Sequence, residues 1–208
     1  MKYDPNCKKC NRLVKFLVST KARYPHYFCK PVPSFGSKSP FLFIVGLAPG
    51  MHGANNTGRP FTGDHAGILL YKALYKYGFS NQPESTHKDK LKLIDCQITN
   101  AVKCLPPENK PTISEINNCN TYLANELNDL KAGSIILALG IIAHNSILKA
   151  LNLTRSNYEF SHSGRHILPN GLILYDSYHC SRYNTQTKRL TEAMFFEIFL
   201  TITKERGK

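Results

Sequence analysis

The chain has 208 residues, enough for one ordinary domain with a sizeable core. Its 42% apolar and 11% aromatic content excludes wholesale disorder, and the longest apolar run, Ile135 to Ala143, is about half of the ~20 residues a membrane-spanning helix needs. Lysine and arginine number 27 against 14 acidic residues, a formal charge of +13 that points to a polyanionic partner, nucleic acid first and an anionic membrane surface second.

In chain order, Met1 to Cys7 lacks the charged start, apolar middle and small-residue cleavage site of a secretory signal, so an intracellular, reducing compartment is expected, cytoplasm or nucleoid in a prokaryote. There, seven cysteines are metal ligands or buried thiols rather than a disulfide framework. An N-terminal cysteine-bearing segment occupies about residues 1–40, and residues 18–40, rich in Lys, Pro and Ser, read as an irregular connection to the first strand. That strand is the apolar run Phe41 to Val45, ended by Gly46. A Gly-rich loop follows to Asp64, and His65 to Tyr77 carries apolar residues at helical spacing. Leu93 to Val102 reads as a second strand with Asn100 near its C-terminal end; Thr112 and Glu115 have capping-box spacing before a helix to about Leu130. Ser134 to Leu139 is a third apolar run, stopped by Gly140 and followed by a helix to about Leu151. Asn170-Gly171 marks a hairpin turn within His166 to Tyr175, and a closing helix runs from Thr187 or Arg189 to Lys204.

Strands alternating with helices predict an α/β fold: a single-domain α/β/α sandwich (residues 1–208) around a mainly parallel sheet. Ligands of such sheets collect at the C-terminal strand ends. The loops expected there are Gly46 to Asp64, Asn100 to Lys110, Gly140 to His144 and Ser177 to Thr187.

Cys7-Lys-Lys-Cys10 is a C-x2-C pair, with Cys104 and Cys119 fifteen residues apart downstream. Four such thiolates suit zinc or an iron–sulfur cluster equally on ligand type, while the spacing is also that of unliganded thiols. Cys96, inside a strand, reads as a small core residue. The Gly46 to Asp64 loop lacks the Gly-Lys-Ser/Thr ending of a P-loop, which argues against a nucleotide triphosphatase. Phe61 in that loop is placed to stack on a flat ligand or to cap the next helix from the core.

Three segments in order, Gly46-Leu-Ala-Pro-Gly50…Thr57-Gly-Arg-Pro-Phe61-Thr-Gly-Asp64, Thr99-Asn-Ala-Val-Lys-Cys104…Asn109-Lys-Pro111 and Tyr178-His-Cys-Ser-Arg-Tyr-Asn184, resemble the iron–sulfur uracil-DNA glycosylases, most closely family 5. Family 4 carries glutamate where Leu47 stands; family 5 usually has His-Pro-Ser where this chain has His179-Cys180-Ser181, and often a glycine near Lys188. The resemblance implies a monofunctional DNA glycosylase of base excision repair. It would release uracil and other deaminated bases such as hypoxanthine from DNA, as a monomer with no membrane association.

By the same resemblance, Cys7, Cys10, Cys104 and Cys119 hold a structural [4Fe-4S] cluster. Phe61 stacks on the flipped base and Asn100 hydrogen-bonds its edge, unless it only satisfies local backbone; Gly46 is also at the substrate, His52 either touches the pocket or faces solvent, and Asn184, a substrate contact, follows His179 closely enough to help hold or wedge the DNA. His179 bonds the departing base, and Asp64 orients water or stabilises the sugar cation. Aspartate at that position is equally a helix N-cap. Asn109 lies near the same water or serves a turn. Arg59, Arg182 and Lys188 are candidates for DNA phosphates, as are Lys103, Arg165 and Arg189. The competing reading is a non-catalytic nucleic-acid-binding module whose four cysteines hold zinc.

Overall fold

The computed structural model describes residues 3–206; Met1, Lys2, Gly207 and Lys208 lie outside them. The elements are α1 (Asn11–Arg23), β1 (Phe35–Gly36), β2 (Leu42–Gly46), α2 (Ala54–Thr57), α3 (His65–Lys76), β3 (Cys96–Asn100), α4 (Ile113–Asn128), β4 (Ile135–Leu139), α5 (Ile141–Ala150), β5 (Arg165–Ile167), β6 (Ile173–Ser177), α6 (Arg182–Gln186) and α7 (Glu192–Arg206). One six-stranded sheet runs β1-β3-β2-β4-β6-β5, parallel among its four inner strands and antiparallel at both edges.

Because side chains alternate along a strand, Leu42 and Ile44 of β2 face α3 and α7, joining Leu70, Leu74, Phe195 and Phe199. Phe43 and Val45 join Leu123 and Leu127 of α4 and Ile147 and Leu148 of α5. Every residue of β2 and β4 is buried, as a sheet covered on both faces requires. This is the α/β/α sandwich expected from the alternation of elements.

The predicted capping box exists: Thr112 Oγ1 accepts the Glu115 N–H at 3.3 Å and Glu115 Oε2 accepts the Thr112 N–H at 2.8 Å. So does the hairpin, where Gly171 takes φ +79°. Three boundaries differ. Residues 18–23 are helical, because Leu13, Leu17 and Thr20 form a narrow buried stripe that the interleaved lysines obscure. The second strand begins at Cys96 rather than Leu93, since Asp95 takes φ +48°. The closing helix begins at Glu192: Arg182–Gln186 is a separate helical segment, and Lys188 at φ +57° breaks the run between them.

Lys103, a candidate phosphate contact, instead lies under the sheet end. Its Nζ is 2.7 Å from Glu126 Oε2 and also donates to Thr99 Oγ1, and the two charged side chains are 2% and 16% exposed. Removing one partner of a buried pair strands the other. Lys103→Met should therefore lower the unfolding free energy by about 3 kcal/mol, measured as a shift of the urea midpoint.

Candidate functional site

The sheet topology brings the C-terminal ends of β2, β3, β4 and β6 to one edge, where Gly46 pairs with Asn100 in register and Leu139 with Ser177. Above this edge is a cleft of about 400 Å³ lined by Leu47, Ala48, Gly50, Phe61, Asp64, His65, Ala66, Asn100, Asn109, His179, Ser181 and Arg182. That volume is within the range of small-ligand pockets. The structure thus gathers Phe61, Asp64, Asn100, Asn109, His179 and Arg182 from three distant segments.

Asn100 ends β3 and is buried, yet its Oδ1 has no hydrogen-bond partner among the described residues. A buried acceptor left unpaired is costly, which marks it as waiting for a donor. Phe61 takes φ +56°, an unfavourable conformation for an aromatic residue, and Tyr71 braces it by donating its hydroxyl to the Pro60 carbonyl at 2.8 Å. Gly46 is needed here: a Cβ would lie 2.5 Å from Asn100 Oδ1 and 2.6 Å from Phe61 Cζ.

Asp64 sits at the N-cap position of α3 but makes no side-chain cap. Its carboxylate turns back into the loop, where Oδ2 accepts the Ala54 N–H at 3.2 Å. Gly50 and Gly53 form the hollow that holds it, since a Cβ on Gly53 would fall 1.9 Å from its Cγ. Burial raises the Asp64 pKa, and the Ala54 donor and the nearby His52 offset part of that rise.

His179 hangs from the loop after β6, its ring 6.1 Å from that of Phe61 and inclined by 28°. Burial lowers its pKa to about 4. Asn184 Nδ2 donates to the His179 carbonyl at 2.8 Å, and Ser181 Oγ accepts the Asn184 N–H. Asn184 therefore holds the loop rather than lining the cleft. Cys180 is fully buried in the core, occupying the place of the family's usual proline with apolar packing.

Other predicted residues lie elsewhere. His52 is exposed and hydrogen-bonds Tyr27 at 2.8 Å. Arg59 is committed to Asp89 at 2.8 Å, to Thr62 and to the Thr86 carbonyl, so its charge is locked into the protein. Arg165 pairs with Glu205 at 3.0 Å, and Arg189 covers the Tyr178 ring. Lys188 does not line the cleft; it is exposed beside Thr185 and Leu190. The reading by sequence missed His65, whose buried Nδ1 lacks a partner and which lines the cleft; it appeared only as the first residue of a helix.

Cys7, Cys10, Cys104 and Cys119 converge on one cavity walled by Leu13, Val102 and Tyr122. Sulfur acceptors meet N–H donors there, from the Lys103 backbone to Cys119 at 3.2 Å and from Asn118 to Cys10 at 3.6 Å. Burial pushes the Cys119 thiol up to about 11 and raises Cys10 and Cys104, the last further through the other three cysteines. A cationic group is what would make four such thiolates stable together. A tetrahedral zinc, with Zn–S of about 2.3 Å, would draw the sulfurs to about 3.8 Å from one another. Among the described residues the one set of three or more His, Cys, Asp or Glu ligand atoms within 4.8 Å of one another contains no cysteine. Arg12 adds a tether, its guanidinium gripping Glu115 at 2.7 and 2.8 Å and joining α1 to α4.

Comparison with known proteins places this geometry in a family. Residues 33–202 match the model of the uracil DNA glycosylase superfamily. The chain is similar to the type-5 uracil-DNA glycosylase of Thermus thermophilus, 42% identical over 97% of this chain and 94% of that protein. It is likewise similar to the type-5 uracil-DNA glycosylase of Pyrobaculum aerophilum, 39% identical over 97% and 90%. The type-4 enzyme of Archaeoglobus fulgidus is 32% identical over 71% of this chain and 61% of its own length. With cleft, cysteine cavity and near-full-length similarity in agreement, the chain belongs to the uracil-DNA glycosylase superfamily, alongside its type-5 members.

Proposed function

We propose that this chain is a monofunctional DNA glycosylase that hydrolyses the N-glycosidic bond of uracil in DNA, and of hypoxanthine, leaving an abasic site. The observation that carries this reading is the unpartnered, buried Asn100 Oδ1 beside Phe61, in one cleft with Asp64 and His179. An extruded base stacks on Phe61 while the Asn100 amide accepts from a ring N–H and donates to the adjacent carbonyl. Leu47 in the cleft wall adds no charge to discriminate among base edges, which favours acceptance of hypoxanthine as well.

As the C1′–N bond breaks, its electron pair leaves with the base and the sugar becomes cationic. Neutral His179 donates one N–H to the anion forming on the base. Asp64 faces the sugar, stabilises its charge and takes a proton from the water whose oxygen bonds C1′; Asn109 on the cleft rim helps seat that water. Among the described residues no lysine lines the cleft, so no Schiff base forms there and the strand stays intact. Arg182 in the cleft wall and exposed Lys188 contact phosphates.

Cys7, Cys10, Cys104 and Cys119 would hold a [4Fe-4S] cluster. When bound, the cluster supplies iron–thiolate cross-links, with no part in bond cleavage. These residues tie the N-terminal segment to the loop bearing Asn109.

The test is alkali-dependent cleavage of labelled duplexes carrying one uracil or hypoxanthine, with iron assayed in the same preparation. Brown protein and breaks only after alkali are expected. Gly46→Ala, whose Cβ displaces Phe61 or Asn100, should lose about 100-fold in kcat/KM, the scale of an ångström's misplacement. Colourless, zinc-loaded protein that binds DNA and releases no base would overturn the proposal in favour of a binding module.

A further inference from the structure

We propose a second metal site in this chain, formed by His144 of α5, His166 of β5 and Asp176 of β6, for a divalent ion of the zinc class. The three ligand atoms lie within 4.8 Å of one another, with His144 Nδ1 2.7 Å from Asp176 Oδ1 and His166 Nε2 3.5 Å from Asp176 Oδ2. Asp176 and His144 are almost completely buried.

Hydrogen-bond counting leads to the ion. His144 Nε2 faces the Tyr158 carbonyl at 3.0 Å, and because a carbonyl only accepts, Nε2 carries the ring proton. On a neutral ring this leaves the Nδ1 lone pair facing a carboxylate oxygen. Asp176 Oδ2 and His166 Nε2 are both buried without a hydrogen-bond partner among the described residues. A second proton on His144 would satisfy Nδ1 alone. A cation ligated by His144 Nδ1, His166 Nε2 and the Asp176 carboxylate satisfies all three. Two imidazoles and a carboxylate form a known zinc ligand set, and a ring N–H given to a backbone carbonyl is the usual outer support of a ligating histidine.

The ion would pin α5 and the edge strand β5 to β6, whose Asp176 stands three residues before His179. It is a bracing site, set apart from the cysteine cavity by ligand chemistry, and it stands whether or not the chain is a glycosylase.

The experiment dialyses the iron-loaded protein against chelator and titrates it with Co2+, then Zn2+, while iron is monitored. One equivalent of Co2+ should bind, displaced by Zn2+, with d–d absorption and no sulfur-to-cobalt charge transfer. The thermal midpoint should rise with metal. His166→Ala lies on an edge strand with the histidine 18% exposed, so it should keep the circular dichroism and iron content of the parent. Its Co2+ affinity should fall on the order of 100-fold. His144→Gln, which keeps a polar side chain in place, should lose affinity similarly. No uptake, a thiolate charge-transfer band, equal uptake by both variants, or a His144 ring carrying two protons in metal-treated protein would each overturn the proposal.

Discussion

Replacing Asp64 by asparagine should slow base release by about 10²- to 10⁴-fold, the range that a positioned acid–base group supplies. The same change should leave the protein at least as stable at neutral pH. Both expectations follow from where the carboxylate sits. The chain brings Gly50 and Gly53 against it, and that burial raises its pKa by more than the Ala54 N–H donor and the nearby His52 lower it. A carboxyl whose folded pKa is raised binds protons more readily folded than unfolded. Its contribution to stability is therefore present below the unfolded value and is lost as pH rises through the folded one. At pH 7 the ionised side chain is a cost, which neutral asparagine removes; nor does asparagine forfeit a cap, since Asp64 makes none to α3. The rate needs the ionised form, so the acid limb of kcat/KM, which reports the free enzyme, should lie above the 3.8 of an ordinary aspartate. Single-turnover rates against pH, with urea unfolding of both proteins at pH 7, check the pair. A rate loss below tenfold, or an acid limb unchanged in Asp64→Asn, would remove Asp64 from the chemistry.

What was legible in the sequence was local. Phe41 to Val45 announces a strand of the covered sheet, Thr112 and Glu115 announce a helix start, and Asn170-Gly171 announces a turn, because each signal involves neighbours a few residues apart. The cleft residues were legible as a set through motif resemblance, and the register of Gly46 against Asn100 explains why those loops meet. Pairings between distant residues were not legible. Arg59 reads as a free cation until Asp89 is found against it; Lys103 reads as a surface lysine until Glu126 closes on it. Such pairings depend on which elements stack, not on spacing. The two readings of Asp64 could not be separated either, since both place an aspartate before a helix and differ only in the direction its side chain turns. Helix α1 escaped because its buried stripe is three residues wide, and much of its anchorage is long-range, through Arg12 to Glu115.

Replacing His179 by alanine should reduce the rate of base release by about 10²- to 10³-fold, the loss expected when one preorganised donor to a developing anion is removed. The ring can act as that donor because burial holds its pKa at about 4, leaving it neutral with one N–H through the physiological range. An imidazolium would meet the same base with a full charge in a poorly solvated cleft, at a desolvation cost. Asn184 and Ser181 fix the loop backbone, and Phe61 stands beside the ring, so the donor's position is set before the base arrives. His179→Gln, which retains an N–H donor, should recover part of the loss, which a purely packing role would not predict. The pH dependence of stability supplies a second readout of opposite sign to that of Asp64. Between about 6.5 and about 4 the unfolded ring is protonated and the folded ring is not, so the unfolded state binds more protons and stability falls as pH drops through that window. Substitution by alanine or glutamine should flatten that fall, seen as a smaller difference between urea midpoints at pH 7 and pH 5. Equal slopes in parent and variants, with full activity in the alanine variant, would place the donor on another residue of the cleft, and His65, with its unpartnered Nδ1, would be the next to replace.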